Sequence, residues 1–219
     1  GMPASVLDAC AALAVRPRVC GEDFIFGVTQ DGPTWRYVDA DLELDAPLGA
    51  LAPHNLALAL AACQAVTDLD AKACETAMAQ AMLPGRMQEI ALDGRRFVLD
   101  VAHNEEGARF LGRELEARGV RPKLIACAML EGKPHRAVRA AIADAVAAPW
   151  VLFGTQGDRA LPSRELACSM NTDALCVDDF AAVREHARSA TSPGDVILVF
   201  GSFNAVEQGI TSAENQPNG

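Results

Sequence analysis

From Arg86 onward, short apolar runs alternate with longer stretches in which apolar residues recur every three or four positions. The short runs predict buried strands, and the longer stretches predict amphipathic helices. The predicted strands cover residues 96–101, 123–129, 150–154, 174–177 and 195–200. The predicted helices between them cover residues 105–118, 134–147, 162–170 and 180–190. This alternation is typical of βαβ units, so we predict an α/β fold with a mainly parallel sheet.

The first part of the chain lacks this alternation. Its predicted elements are a helix over residues 5–15, two strands within 23–40, and helices over about 55–66 and 70–82. A turn is predicted between the two strands at Asp31-Gly32-Pro33, and Pro84-Gly85 ends the last of these helices. The change of rhythm predicts a boundary near residues 83–85.

Residues 46–67 contain no charged side chain, and the segment is long enough to span a bilayer. It is rich in alanine, however, and Pro53, His54, Asn55 and Gln64 interrupt it. We therefore interpret it as a loop followed by a buried helix and predict no membrane span.

Composition narrows the class of partner. Lys and Arg number 19 against 29 Asp and Glu, which gives a net charge of -10 and argues against a nucleic-acid partner. The seven cysteines are odd in number and show no CxxC spacing, so neither a disulfide framework nor a zinc site is predicted. This pattern favours a protein of the reducing cytoplasm.

Ligands of open α/β sheets bind outside the carboxyl ends of the strands, so the loops after the strands are the places to seek chemistry. The four loops with polar or glycine-containing sequence are Asp100-Val101-Ala102-His103-Asn104, Met129-Leu130-Glu131-Gly132-Lys133, Gly154-Thr155-Gln156-Gly157 and Gly201-Ser202-Phe203-Asn204. Asp100 and His103 are the strongest candidates among them. Capping of the following helix explains Asp100 equally well, and a structural role is an alternative for His103.

Motifs that bind nucleotides unaided are missing from the sequence. The 219 residues contain no GxxxxGK[ST] phosphate loop and no GxGxxG, and only Lys72, Lys123 and Lys133 are lysines. If this chain handles ATP, we expect it to do so as part of a larger assembly.

Four segments carry a resemblance to a known family. They are LPGRMQ (83–88), VLDVAHNEEGARFL (98–111), MLEGK (129–133) and VILVFGSFNAV (196–206). In this order and at these separations, they resemble the C-terminal part of bacterial folylpolyglutamate synthase/dihydrofolate synthase, a member of the ATP-dependent Mur ligase superfamily. The resemblance implies that residues 1–84 are the C-terminal portion of a central ATPase domain and that 85–212 form a Rossmann-like C-terminal ligase domain. Residues 213–219 are expected to be a disordered tail.

The resemblance implies an amide-forming ligase. ATP would phosphorylate a carboxylate of dihydropteroate or a folate, and the amino group of L-glutamate would attack the acyl phosphate. The family's phosphate loop, its Mg²⁺ ligands and most of its pteridine site lie upstream of the matched segments, so we expect this chain alone to be inactive. The full-length enzyme is expected to be a monomer. A non-catalytic Rossmann-like binding module and a ligase of cell-wall precursors remain alternatives.

Three matched positions are implied to contact ATP. Asn55 matches an asparagine that contacts the nucleotide, although a helix N-cap explains it equally well. Arg86 matches an arginine that reaches the phosphates, a task that suits a planar guanidinium. Asp100 matches an aspartate that holds the ribose hydroxyls.

The remaining matched positions lie on the side of the incoming glutamate. His103 is implied to orient substrate or stabilise charge near the phosphates, and Arg86 shares this catalytic role. Ser202, at the start of the last helix, is a weaker candidate for binding glutamate, as is Lys133. No metal ligand is predicted in this chain.

Three residues depart from the family's usual pattern. Glu105 stands where proline is usual, Asn204 stands where histidine is frequent, and Pro134 replaces an acidic residue after Lys133. We expect these departures to affect the contacts with glutamate rather than the fold.

Overall fold

The computed structural model describes residues 2–29, 34–49 and 51–215. The chain divides into two compact units, Gly1–Leu83 and Pro84–Gly219. The turn predicted at Asp31-Gly32-Pro33 lies outside the described residues.

The first unit combines an antiparallel sheet with helices. Its elements are α1 (Ala4–Ala12), β1 (Phe24–Val28), β2 (Thr34–Asp39), β3 (Glu43–Pro47), α2 (Pro53–Gln64) and α3 (Ala71–Gln80). The strand order is β1-β2-β3. The sequence pattern did not predict β3, because this edge strand buries only Leu44 and Ala46 between exposed polar positions.

The uncharged segment over residues 46–67 contains α2, a helix of 12 residues. One face of α2 is buried in the core of the first unit through Leu56, Ala57, Leu60 and Ala61. In the part of the chain that the structure describes, no helix is both long and apolar enough to cross a membrane.

The second unit has alternating strands and helices. Its elements are β4 (Gln88–Leu92), β5 (Arg95–Asp100), α4 (Glu105–Ala117), β6 (Leu124–Cys127), α5 (His135–Ala143), β7 (Trp150–Leu152), α6 (Ser163–Met170), β8 (Leu175–Cys176), α7 (Phe180–Ala190), β9 (Val196–Phe200) and α8 (Phe203–Glu214). The sheet order is β4-β5-β9-β6-β7-β8. Only β4 runs antiparallel to its neighbour, which confirms the predicted α/β fold with a mainly parallel sheet.

Helices cover both faces of this sheet. Residues of α4, α5 and α6 form the core on one face, and residues of α7 and α8 form it on the other. All five residues of the central strand β9 are buried, which explains its continuous apolar sequence. Because β9 lies between β5 and β6, the loops that follow these three strands emerge side by side at the carboxyl edge.

Two details of the second unit differ from the sequence prediction. Strand β4 was missed because it is an edge strand with only one fully buried residue, Leu92. The predicted tail begins too early, since Ala213 and Glu214 belong to α8. Ala213 packs against the core, so the polar run at the C-terminus starts within the helix; residues 216–219 lie outside the described residues.

A buried carboxylate joins the end of β2 to the segment between α1 and β1. The Asp39 side chain is 1% exposed and accepts hydrogen bonds from the Tyr37 hydroxyl (2.7 Å) and from Arg18 (2.8 Å). Its other oxygen accepts the backbone N–H groups of Asp41 and Leu42. Burial opposes the charge of Asp39, but these hydrogen bonds outweigh burial and lower its pKa from 3.8 to about 2.

We expect Asp39→Asn to destabilise the first unit by about 2 kcal/mol at pH 7, because the lowered pKa favours the folded state by about that amount. The lowered pKa stabilises the folded state above about pH 4, and this contribution falls to about half by pH 3. Urea unfolding followed by Trp35 fluorescence in a Trp150→Phe background would measure both values. Asp41→Asn, at an exposed neighbour, is the matched control; an equal effect of the two variants would contradict the prediction.

Candidate functional site

The loops after β9 and β6 are held together by a glycine and a serine. Gly201 has φ +119°, and a Cβ at this position would lie 2.7 Å from the carbonyl oxygen of Ala128. The Ser202 hydroxyl donates to the same Ala128 oxygen at 2.9 Å and accepts the N–H of Ala205 at 3.0 Å, which makes Ser202 the N-cap of α8. The Gly-Ser pair therefore brings the two loops into backbone contact.

The segment that carries Pro-Gly-Arg is attached to the loop after β5. The Val101 N–H donates to the Gly85 carbonyl oxygen at 2.9 Å, and the Met87 N–H donates to Oδ2 of Asp100 at 3.1 Å. Gly85 has φ +69°, and a Cβ there would lie 2.8 Å from the side chains of Val101 and Val206. Glycine at position 85 is thus required both by the backbone conformation and by the close packing.

Asp100 is 7% exposed and binds backbone rather than another side chain. In addition to the bond from Met87, its Oδ1 accepts the N–H of Ala102 at 2.8 Å. Burial raises the pKa of Asp100, and the two N–H donors oppose that shift. Asp100 does not cap α4, because Asn104 accepts the N–H of Gly107 at 2.7 Å and is the N-cap. An asparagine followed by two glutamates is a signal that identifies this cap in the sequence.

Arg86 is exposed beside this buried carboxylate. Its positive charge favours the ionised form of Asp100, so the two groups lie within electrostatic reach of each other. In the described part of the chain, the guanidinium has no hydrogen-bond or ion-pair partner. Its donors are therefore available to an anionic ligand.

His103 is half-buried in the loop after β5, and its Nδ1 lies 2.9 Å from the carbonyl oxygen of Val101. Because a carbonyl oxygen only accepts, this contact requires the proton on Nδ1. The Nε2 atom then retains a lone pair in the neutral ring and becomes a donor when the ring is charged. His103 can thus act as acceptor or donor through the one atom that the loop does not occupy.

Lys133 lies half-buried at the end of the loop after β6, and no described residue pairs with its ammonium group. Pro134 follows with φ -78° and ψ 66°, and the His135 N–H donates to the Lys133 carbonyl oxygen at 2.9 Å. These values define an inverse γ-turn. The proline that departs from the family's pattern therefore forms the turn that leads from Lys133 into α5.

For Asn55 and Ser202, the structure differs from the sequence prediction: Asn55 does not cap a helix, and the Ser202 hydroxyl is engaged with the backbone. Asn55 lies in the first unit at the third residue of α2, where it is exposed; the N-cap is Ala52, so the capping interpretation of Asn55 is wrong. Ser202 is 3% exposed, and its only hydroxyl proton is bound to Ala128. Ser202 therefore orders the loop, and donation of its proton to a ligand would require that bond to break.

Sequence reasoning missed a group of side-chain amides beside the loop after β7. Oδ1 of Asn204 accepts the N–H of Gln156 and the amide of Gln208, both at 3.0 Å. Gln208 also donates to the Gly154 carbonyl oxygen at 3.3 Å. The departure at Asn204 thus has a structural role, since this residue links the loops after β7 and β9.

The fold of the second unit is that of a known class of protein. The family model of the Mur ligase, glutamate ligase domain, matches residues 85–203, more than half of the chain. The chain belongs to the Mur ligase family.

Individual proteins of known name are also similar to this chain. Dihydrofolate synthase/folylpolyglutamate synthase of Escherichia coli K12 is 27% identical over 208 residues, which are 94% of this chain and 48% of that protein. A solved structure of bifunctional folylpolyglutamate synthase/dihydrofolate synthase from Yersinia pestis is complexed with AMPPNP and Mn ion. It superposes on this chain with a TM-score of 0.83 at 27% identity, and the match covers 99% of this chain and 52% of the Yersinia chain. FolC of E. coli in complex with DHPP and ADP gives 0.83 at 26% identity, with coverage of 98% and 52%. The chain thus spans about half the length of these proteins.

We expect Gly201→Ala to destabilise the second unit by about 4 kcal/mol, because both the positive φ and the approach of Ala128 act against a Cβ. Gly157→Ala is the matched control: Gly157 has φ +93° in the loop after β7, with nothing within 4 Å of the added Cβ. Backbone strain alone should cost that variant about 1–2 kcal/mol. Urea unfolding followed by circular dichroism would measure both, and equal costs would show that the contact with Ala128 does not restrict position 201.

Proposed function

We propose that this chain is the C-terminal part of an ATP-dependent ligase that joins L-glutamate to dihydropteroate or a folate. ATP would supply the phosphoryl group that activates the substrate carboxylate as an acyl phosphate. Attack by the amino group of L-glutamate would then form the amide and release phosphate. The proposal is supported by the match to a glutamate ligase domain and by the folate ligases that align with nearly all of this chain.

The observation that carries the proposal is the unpaired Arg86 beside the buried Asp100 at the carboxyl edge of the sheet. A guanidinium with free donors suits the phosphates of a nucleotide. Asp100 has two N–H partners, and a carboxylate can accept about four hydrogen bonds, so it keeps capacity for ribose hydroxyls. The exposed amide of Asn55 is proposed to contact the nucleotide as well.

His103 and Lys133 are proposed to serve the acyl-phosphate and glutamate side. A charged lysine would attract a carboxylate of L-glutamate, and Nε2 of His103 would orient or stabilise the reacting group. Arg86 would offset negative charge that develops on the phosphoryl group. Ser202 is proposed to act on the site by holding the loops after β6 and β9 together rather than by touching substrate.

A divalent cation, Mg²⁺, is proposed to accompany ATP. Among residues 2–29, 34–49 and 51–215, no group of three His, Cys, Asp or Glu side chains could hold a metal ion. We propose that the Mg²⁺ ligands belong to the half of the relatives' length that this chain does not span. All seven cysteines are free thiols, which supports the proposal that the enzyme is cytoplasmic. We also propose that the full-length enzyme acts as a monomer.

We expect the 219-residue chain alone to release no ADP in a glutamate-dependent manner, whereas the full-length enzyme should do so. The reason is that the sequence holds no phosphate loop to grip ATP. A coupled ADP assay with dihydropteroate and L-glutamate would test both proteins. Turnover by the chain alone would refute its inactivity, and failure of the full-length protein would refute the ligase and favour a non-catalytic binding module.

In the full-length enzyme, we expect Arg86→Ala to lower kcat about a hundredfold, the usual effect of removing one donor that stabilises a transition state. Arg96→Ala is the matched control, because Arg96 is an exposed arginine of the same unit that pairs with Glu89 at 2.9 Å, and such surface pairs contribute little. Steady-state kinetics with saturating ATP would separate kcat from KM. Wild-type kinetics of Arg86→Ala would contradict the assignment of this site.

A further inference from the structure

His135 is a buried histidine that no assigned role explains. It is the first residue of α5 and is 6% exposed. Its Nε2 lies 2.9 Å from the Leu130 carbonyl oxygen, and its Nδ1 lies 2.7 Å from Oγ of Ser169 on α6. The side chain therefore reaches back across part of the loop after β6, from the first residue of α5 to Leu130 within the loop.

The hydrogen-bond partners determine the form of this histidine. The Leu130 carbonyl can only accept, so Nε2 carries a proton. In the neutral ring, Nδ1 then accepts the hydroxyl proton of Ser169. Ser169 thereby fixes the ring orientation that directs the Nε2–H at Leu130, in the way that outer partners orient histidines elsewhere.

The loop enclosed by this bond is Glu131-Gly132-Lys133-Pro134, and two further features restrain it. Arg159, from the loop after β7, donates to the Glu131 carbonyl oxygen at 2.6 Å, and the Glu131 N–H donates to the Arg159 carbonyl oxygen at 3.2 Å. The inverse γ-turn at Pro134 fixes the other end. The ammonium group of Lys133 has no partner among the described residues. Pro134 also restricts the backbone conformation of Lys133, which precedes it.

We propose that His135 is a positioning residue for Lys133: its Nε2–H bond to Leu130 closes the loop and holds the Lys133 ammonium in place for an anionic group of the substrate. This inference rests on the proposed function, because Lys133 is there the group that binds L-glutamate. His135 itself touches no substrate.

Asparagine and glutamine at position 135 separate the two contacts. The amide of asparagine occupies the place of Nδ1, so His135→Asn keeps the contact with Ser169 and loses the bond to Leu130. The amide of glutamine occupies the place of Nε2, so His135→Gln keeps a donor for Leu130. His186→Asn makes the same chemical change on α7 and is the control.

The first measurement is amide hydrogen exchange in the 219-residue chain, over a peptide that spans residues 128–136. We expect His135→Asn to accelerate exchange there about fivefold, as loss of one hydrogen bond would, while other peptides keep their rates. His135→Gln should restore slow exchange. Unchanged exchange in His135→Asn, or acceleration throughout the second unit, would overturn the positioning role.

The second measurement is a double-mutant cycle in the full-length enzyme. We expect His135→Asn to raise KM for L-glutamate about fivefold with little change in kcat or in KM for ATP, and His135→Gln to reverse most of this. In a Lys133→Ala background, His135→Asn should add nothing, because its effect acts through Lys133. Additive effects would overturn the inference alone. Wild-type kinetics of Lys133→Ala would instead overturn the proposed role of Lys133, and the two failures are therefore distinguishable.

Discussion

The carboxylate of Asp100 joins the two chain segments on which the candidate site depends. It accepts one N–H from the Pro-Gly-Arg segment, at Met87, and one from its own loop, at Ala102. A buried carboxylate is costly to ionise, and burial raises its pKa accordingly. The two N–H donors and the nearby charge of Arg86 offset only part of that cost, since the pKa of Asp100 remains raised. The same residue thus helps to hold the segment that carries Arg86, and it is the negative group of the proposed nucleotide site.

Close backbone approach is the second constraint at this edge. Glycine is needed at positions 85 and 201 because a Cβ would lie within 3 Å of the neighbouring loop at each. Ser202 then completes the contact between the loops after β9 and β6. The Ser202 hydroxyl and Oδ1 of Asn204 are engaged in these loop-to-loop bonds. Arg86, Lys133 and Nε2 of His103 have no hydrogen-bond partner among the described residues.

Continuous apolar sequence decided which strands could be predicted. The strands with continuous apolar sequence, such as β9, were found from the pattern alone, because every residue in them is buried between two helical layers. The edge strands β3 and β4 were missed, because exposed positions such as Glu43, Asp45 and Glu89 interrupt their apolar sequence. Among the candidate site residues, Asp100 and Asn55 were both compatible with helix capping, and neither caps a helix in the structure.

The sequence by itself determined the α/β fold, the family, and the loops that hold the candidate site residues, since these follow from local periodicity and from short motifs of fixed spacing. Only the tertiary structure decided what each polar atom of those loops does. A hydrogen-bond partner far away in the chain, such as Ala128 for Ser202 or Ser169 for His135, leaves no trace in local sequence. The VLDVAHN segment illustrates this difference. Its strand and turn were predicted from the sequence, but one hydrogen-bond donor to Asp100, the Met87 N–H, lies 13 residues earlier in the chain.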